Sequence, residues 1–389
     1  MRFEKVVFIG YFPLTSVIYN EHYFEILLQN NIDVEYLDLK DLFFSKIVNS
    51  DHFRYKNTLY MKSYDDLKKY LSTQDNTRTL YISLMTFEWR IVKLFRIFTK
   101  HRLILGVFGR GVFPNVYTSK ASKYFFNLKS INFRRLKGLI QNRLAKYSKS
   151  TGYVKSYDFI FKAGEYGHFA FGYGCETDIL KAKVIDINTV DYDRYQIDKR
   201  TRENVNSEKV VFIDQYIPYH PDTIYFNIKT VEPEIYYNKL NAFFDRFEIL
   251  TGKKIVIAAH PKAALYKEMN PFNDRIIFFN KTSDLVKESS VVLTHHSTAI
   301  SLPICYNKKA ILLTSQDLED TFVDFKMVLN AINKASGITI LSMDDEMINI
   351  PDNIDQTTYD DYKYKYLTSK LSKDRTTEEI FLNFILNGS

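Results

Sequence analysis

Four short stretches in the second half of this chain carry side chains suited to handling a phosphate. His260-Pro261-Lys262 follows the apolar run 255–259. Thr294-His295-His296-Ser297-Thr298 follows 291–293 and leads straight into an apolar helical segment, 298–305. Asp214 closes the apolar run 210–213, and Thr314-Ser315 follows 309–313. A histidine at such a place can donate to a phosphate oxygen or protonate a departing one. The hydroxyls of Ser297 and Thr298 cap the helix start in the ordinary way. A phosphate would use the same hydroxyls with the free backbone N–H groups beside them. His295 and His296 are adjacent on a strand edge, so at most one faces a crevice, and His296 is counted with the site. Lys262 adds charge if it turns inward. His220-Pro221-Asp222 repeats the His-Pro pair in a loop and ranks second.

These residues need strands behind them, and the pattern supplies them. Short apolar runs alternate with helical segments along most of the chain, which predicts parallel α/β layers. In the first half the predicted strands are 5–10, 33–39, 79–85, 102–109, 159–164 and 183–188, with a helix near 17–29 after the first. A polar stretch, 191–209, reads as the interdomain link. The second set is strand 209–213, helix 233–251 with its proline in the first turn, and strands 254–259, 275–279, 291–294 and 309–313, with a closing helix at 376–386. The expected architecture is two Rossmann-like, doubly wound domains facing one another across a cleft, residues 1–205 and 206–389. In open parallel sheets ligands bind outside the carboxyl ends of the strands, where the four stretches fall.

Composition narrows the classes. The 389 residues include 13 Gly and 2 Cys, which leaves no room for a disulfide scaffold or a cysteine-rich zinc module. No run approaches a membrane-spanning length, and the N-terminus reads as a buried strand, so a cytoplasmic location is expected. A Gly-rich P-loop, a dinucleotide fingerprint and a nucleophile elbow are all missing from the sequence; Gly106 to Gly111 is off-pattern for each. Charge is segregated. From Trp89 to Tyr157 there is no Asp or Glu but 16 Lys and Arg, against a net +7 for the whole chain. Such a window implies an anionic partner. Within it Ile131, Leu136, Leu139, Ile140 and Leu144 recur at helical spacing among Arg134, Arg135, Lys137 and Arg143. That is the pattern of a basic amphipathic helix, fit for an anionic membrane surface or for packing with a solvated face. No zinc-finger, RNP-like or helix-turn-helix pattern supports nucleic acid.

At His260-Pro261 and Ser297-Thr298, 37 residues apart and in this order, the second half resembles the bacterial sialyltransferase-like GT-B glycosyltransferases that use CMP-activated nonulosonic acids or Kdo. The resemblance covers about 100 residues, 209–315. It implies a metal-independent, inverting transfer from a CMP-sugar, with no cofactor, to a glycan or glycolipid acceptor of the bacterial surface. Asp214 would be the general base, although Gln215-Tyr216 stands where the family has an acidic residue and glycine. His260, Pro261, Lys262, His296, Ser297, Thr298 and Ser315 would surround the nucleotide phosphate. The first domain would bind acceptor, with Arg110, Arg134, Arg135, Lys137 and Arg143 on an acceptor-facing or membrane-facing side at the inner membrane. Asp191-Tyr192-Asp193 has a form that holds a divalent ion in some sugar transferases, but it falls in the link, and no metal is expected. The layout is also similar to that of CDP-glycerol phosphotransferases. A non-catalytic scaffold binding polyanion or membrane is the alternative outside enzymes.

Overall fold

The computed structural model describes residues 2–44, 53–114, 133–201, 208–221, 223, 228–350 and 353–388. They divide into two compact units. One comprises the described parts of 1–112, 126–190 and 368–389; the other is built around 191–367.

The first unit holds a seven-stranded parallel sheet in the order β3-β2-β1-β4-β5-β6-β7: β1 Lys5–Gly10, β2 Asp33–Asp38, β3 Thr58–Tyr60, β4 Thr79–Ser83, β5 Ile104–Gly109, β6 Phe159–Ala163 and β7 Lys183–Ile187. Helices cover both faces, which is why β1 and β4 read as near-continuous apolar runs rather than alternating ones. On one face Tyr81, Leu94, Phe95, Phe98, Leu105 and Ile160 form a core. On the other, Phe3, Phe8, Phe24, Tyr36 and Phe161 form a second. Gly109 and Gly167 bring the end of β5 against a 3-10 turn, and a Cβ on Gly167 would overlap the carbonyl oxygen of Gly109.

The second unit holds a six-stranded parallel sheet in the order β10-β9-β8-β11-β12-β13: β8 Val210–Ile213, β9 Ile255–Ala259, β10 Ile277–Phe279, β11 Val291–Thr294, β12 Lys309–Thr314 and β13 Thr339–Ser342. The chain winds outward from β8 to β10, then returns to the other side of β8 with β11. The switch point therefore lies between β8 and β11, whose registers pair Ile213 with Thr294.

Several features differ from the sequence expectation. The helix near 17–29 is two short helices, Ser16–Glu21 and Phe24–Gln29, because Tyr23 takes a left-handed conformation between them. The polar stretch 191–209 is not a plain link. Val190–Thr201 is a helix whose Asp191 accepts from Ser301 Oγ and whose Asp198 accepts from the Tyr306 hydroxyl. Those bonds tie it to the second unit, ahead of the expected boundary at 205/206. Asp191 and Asp193, two apart on a helix, point in different directions and do not form a paired-carboxylate site. Finally, the closing helix, Thr377–Asn387, is expected with the second domain but packs on the first. Phe381 and Phe384 are buried against Phe161, and Asn188 and Thr377 exchange hydrogen bonds. Its first turn is fixed by a capping box between Thr376 and Glu379.

Candidate functional site

The carboxyl ends of β8, β9 and β11 each deliver one site segment, and the three meet at the switch point of the second sheet. A cavity of about 630 Å³ opens there, lined by Gln215, His220, Lys229, His260, His296, Ser297 and Thr298. Its other wall is mostly apolar, with Ile217, Ile228, Phe322, Phe325 and Val328, and also holds Thr321 and one carboxylate, Asp324. Polar groups at one end and an aromatic wall at the other suit a ligand with an anionic end and a ring.

His260 follows β9 directly. The backbone N–H of Lys262 donates to its Nδ1 at 3.2 Å. A neutral imidazole held this way carries its proton on Nε2 and can donate it to an oxygen. The ring of His220 lies edge-on to it, with centroids 4.9 Å apart. The two His-Pro pairs of the sequence thus converge, and His220 belongs to the lining rather than to a remote loop. Ser297 caps the turn that follows β11, its Oγ accepting from the Ala299 N–H at 3.2 Å. Thr298 opens a 3-10 turn, 298–300, that continues as the short helix Ser301–Cys305.

His295 and His296 lie in the bend just after β11 and separate there. His295 is buried, its Nδ1 toward the carbonyl of Leu313 at 2.8 Å and its Nε2 toward the Tyr236 hydroxyl at 2.9 Å. With both nitrogens engaged in a dry core it stays neutral, its pKa pushed down to about 4 by burial. His296 lines the cavity, packs edge-on to Phe325 at 4.8 Å, and is likewise held below its usual value by burial. Gln215 donates to the His296 carbonyl at 2.6 Å, which clamps the end of β8 to the loop after β11.

The remaining predicted site residues lie apart from the cavity lining. Asp214 is 2 % exposed, behind the lining, with the buried side chains of Tyr216, Tyr236, Tyr237 and Tyr266 in the same unit. Neither carboxylate oxygen has a hydrogen-bond partner among the described residues. Burial raises its pKa to about 6, opposed by nearby backbone N–H groups of Tyr216, Gln215 and His260 and by the Tyr266 hydroxyl. Ser315 is buried and caps the helix Gln316–Thr321. Pro261 and Lys262 are exposed and outside the lining. In the first unit Arg110 is committed to its own fold: it donates to the carbonyl of Glu21 at 2.8 Å and to the Tyr23 hydroxyl, over the ring of Phe108. Lys137 and Arg143 are exposed on the helix Phe133–Ser150. Arg134 and Arg135 are in its first turn, their side chains outside what is described, as is Ile131 altogether.

The sequence alone does not rank Gln215, Lys229 or His220 with the site. The repeated His-Pro pair is the one signal in it that could promote His220.

No family model matches the chain, and no curated protein matches it. Among solved structures, the wall teichoic acid polymerase TagF, a histidine variant soaked with CDPG, is similar at 13% identity, TM-score 0.51, over 98% of this chain and 88% of that one. The UDP-GlcNAc 2-epimerase of Methanocaldococcus jannaschii, in complex with UDP-GlcNAc and UDP, matches at 11% identity, TM-score 0.45, over 97% and 98%. The spinosyn rhamnosyltransferase SpnG, complexed with thymidine diphosphate, matches at 10% identity, TM-score 0.43, over 99% and 92%. At such identity the likeness to TagF is one of fold alone, and it agrees with the two sheets described above. The chain has a GT-B-like α/β fold of two Rossmann-like units with parallel sheets of seven and six strands.

Proposed function

We propose that this protein is a transferase that takes its donor as a cytidine nucleotide, with the donor phosphate held in the cavity of the second unit. The observation that carries the reading is the convergence of His260, His220, Ser297 and Thr298 at the switch point of one sheet. Hydroxyls and backbone N–H groups aimed at a phosphate stabilise the charge that a departing CMP accumulates, and a buried, partly apolar wall strengthens that effect.

Two transfers fit the cavity, and the histidine pair favours the glycerophosphate type. In it, an imidazole of the pair takes the proton of an acceptor hydroxyl. The oxygen then attacks the β-phosphorus of a CDP-linked alditol, and the bond between that phosphorus and the bridging oxygen breaks. CMP leaves with the electron pair, and the Nε2–H of His260 donates to its phosphate. In this reading His220, lining the cavity beside His260, is the base. The similarity in fold to TagF supports this reading. The second reading is glycosyl transfer from a CMP-nonulosonate or CMP-Kdo, supported by the order and spacing of His260-Pro261 and Ser297-Thr298. There the acceptor oxygen attacks the anomeric carbon and CMP leaves from it. That reading needs Asp214 to reach the acceptor, and its burial behind the cavity lining weighs against it.

Incubation of the purified protein with CDP-glycerol, CMP-Kdo, CMP-sialic acid and UDP-GlcNAc, each with a glycan or alditol-phosphate acceptor, separates the two. Release of CMP from CDP-glycerol alone, lost in His220→Ala and His260→Ala, is the expected result. Turnover of the CMP-sugars alone, retained by His220→Ala and lost in Asp214→Asn, would replace it with the glycosyl reading.

A further inference from the structure

The helix Phe133–Ser150 has two apolar stripes, and among the described residues only one is buried. Ala145 packs in the core of the first unit, and Lys149 is buried beside it. Lys149 pairs with buried Asp178 at 2.5 Å, with its ammonium over the rings of Phe87 and Tyr157 at 3.9 and 4.4 Å. This caged ion pair fixes the helix about its axis. The other stripe then faces out: Ile140, Leu144 and Tyr147, at i, i+4 and i+7, are 52%, 46% and 66% exposed. Lys137 and Arg143 lie along the same stripe, both exposed.

Beside it runs a groove of about 1180 Å³ between this helix and Val92–Lys100, wholly within the first unit. Lys68, Arg90, Lys93, Arg96 and Lys100 line it, with half-exposed Trp89 and Tyr153 at its rim and no carboxylate in its wall. Lys68 and Arg90 pair with Asp65 and Glu88, and Arg96 donates to the Tyr153 carbonyl. Lys100 and Arg143 have no carboxylate partner among the described residues.

We propose that this face of the first unit docks on an anionic lipid bilayer, Ile140, Leu144 and Tyr147 entering the interface while Lys93, Lys100 and Arg143 meet the headgroups. A soluble polyanion would satisfy the cations and leave three large apolar side chains in water. A bilayer satisfies both, and Trp and Tyr at the rim suit the level of the headgroups. The proposal stands on the first unit and is independent of the donor assigned to the second.

The test is co-sedimentation of the full chain with vesicles of phosphatidylcholine alone or mixed equally with phosphatidylglycerol, at low salt. Soluble polyphosphate serves as the comparison ligand. The wild type should partition to the anionic vesicles at least tenfold better than to neutral ones. Ile140→Ser/Leu144→Ser and Lys100→Glu/Arg143→Glu should each cut that partition tenfold or more. Both pairs are on the surface, and an unchanged circular dichroism spectrum and thermal midpoint confirm an intact fold. Polyphosphate binding should fall in the charge variant alone. Equal partition to neutral vesicles, or vesicle binding that survives either double substitution, would overturn the proposal. So would polyphosphate binding without vesicle binding, which marks a polyanion site.

Discussion

Asp214 and His295 are buried in the same unit and titrate with opposite consequences. Asp214 has its pKa raised to about 6 from an ordinary value near 3.8, so the folded state favours its neutral form. Its contribution is fully present below pH 4 and is lost as pH rises through 6. A rise of that size corresponds to about 3 kcal/mol. Asp214→Asn should therefore stabilise the second unit at pH 8 by about 2–3 kcal/mol in urea unfolding, and by nearly nothing at pH 4. His295 is depressed to about 4, so its contribution is present above pH 6.5 and is lost as pH falls. With Asp214 removed, stability should decline by about 1.4 kcal/mol per pH unit between pH 6 and 4; a flat profile in that variant would contradict the assignment. His295, with both ring nitrogens engaged in the core, is structural. His260, His296, Ser297 and Thr298 were legible because each directly follows an apolar run that could only be a strand. The approach of His220 to His260 was not, since it depends on how the loop after β8 folds back. Burial of Asp214 was equally invisible, because it depends on tyrosines from three separate segments.

At the scale of elements, the buried Lys149–Asp178 pair and the closing helix decide the shape of the first unit. Lys149→Met leaves Asp178 buried without a cation, which should cost about 3–5 kcal/mol, while Lys149→Met/Asp178→Asn should recover much of it. Thermal or urea unfolding of the wild type, Lys149→Met, Asp178→Asn and the double variant closes the cycle; no recovery in the double variant would show that packing, rather than charge, fixes the helix. Phe381 is fully buried against Phe161 and Phe108. Phe381→Ala should cost about 3–5 kcal/mol, and Thr376→Ala about 1 kcal/mol through loss of its cap. Most strands were readable from their apolar runs. β3 and β13 were missed because Thr58–Tyr60 and Thr339–Ser342 are short, half-buried edge strands with little apolar signal. Val190–Thr201 looked like a link because a helix with almost no one-sided apolar pattern docks through hydrogen bonds that its acids accept. The destination of the closing helix depends on contacts with residues 180 or more positions away, which no local pattern encodes.

For the molecule as a whole, the two units divide the chemistry. The second carries the polar cavity at its switch point, and the first carries most of the acid-free basic window and the exposed apolar stripe. Sequence periodicity indicated both parallel sheets and the charge segregation, because these are properties of runs and sums. It could not rank the donor, since a phosphate site built from hydroxyls and imidazoles serves a diphosphate and a monophosphate alike. The functional reading rests on the cavity at β8, β9 and β11 holding the phosphate of a cytidine nucleotide. Titration calorimetry with CDP, CMP and UDP probes that step directly, on the wild type beside His260→Ala and Ser297→Ala/Thr298→Ala. The expected result is binding of a cytidine nucleotide that weakens tenfold or more in both variants, about 1.4 kcal/mol each. Binding that is unchanged in both variants, or a folded wild type that takes up UDP and neither cytidine nucleotide, would contradict it.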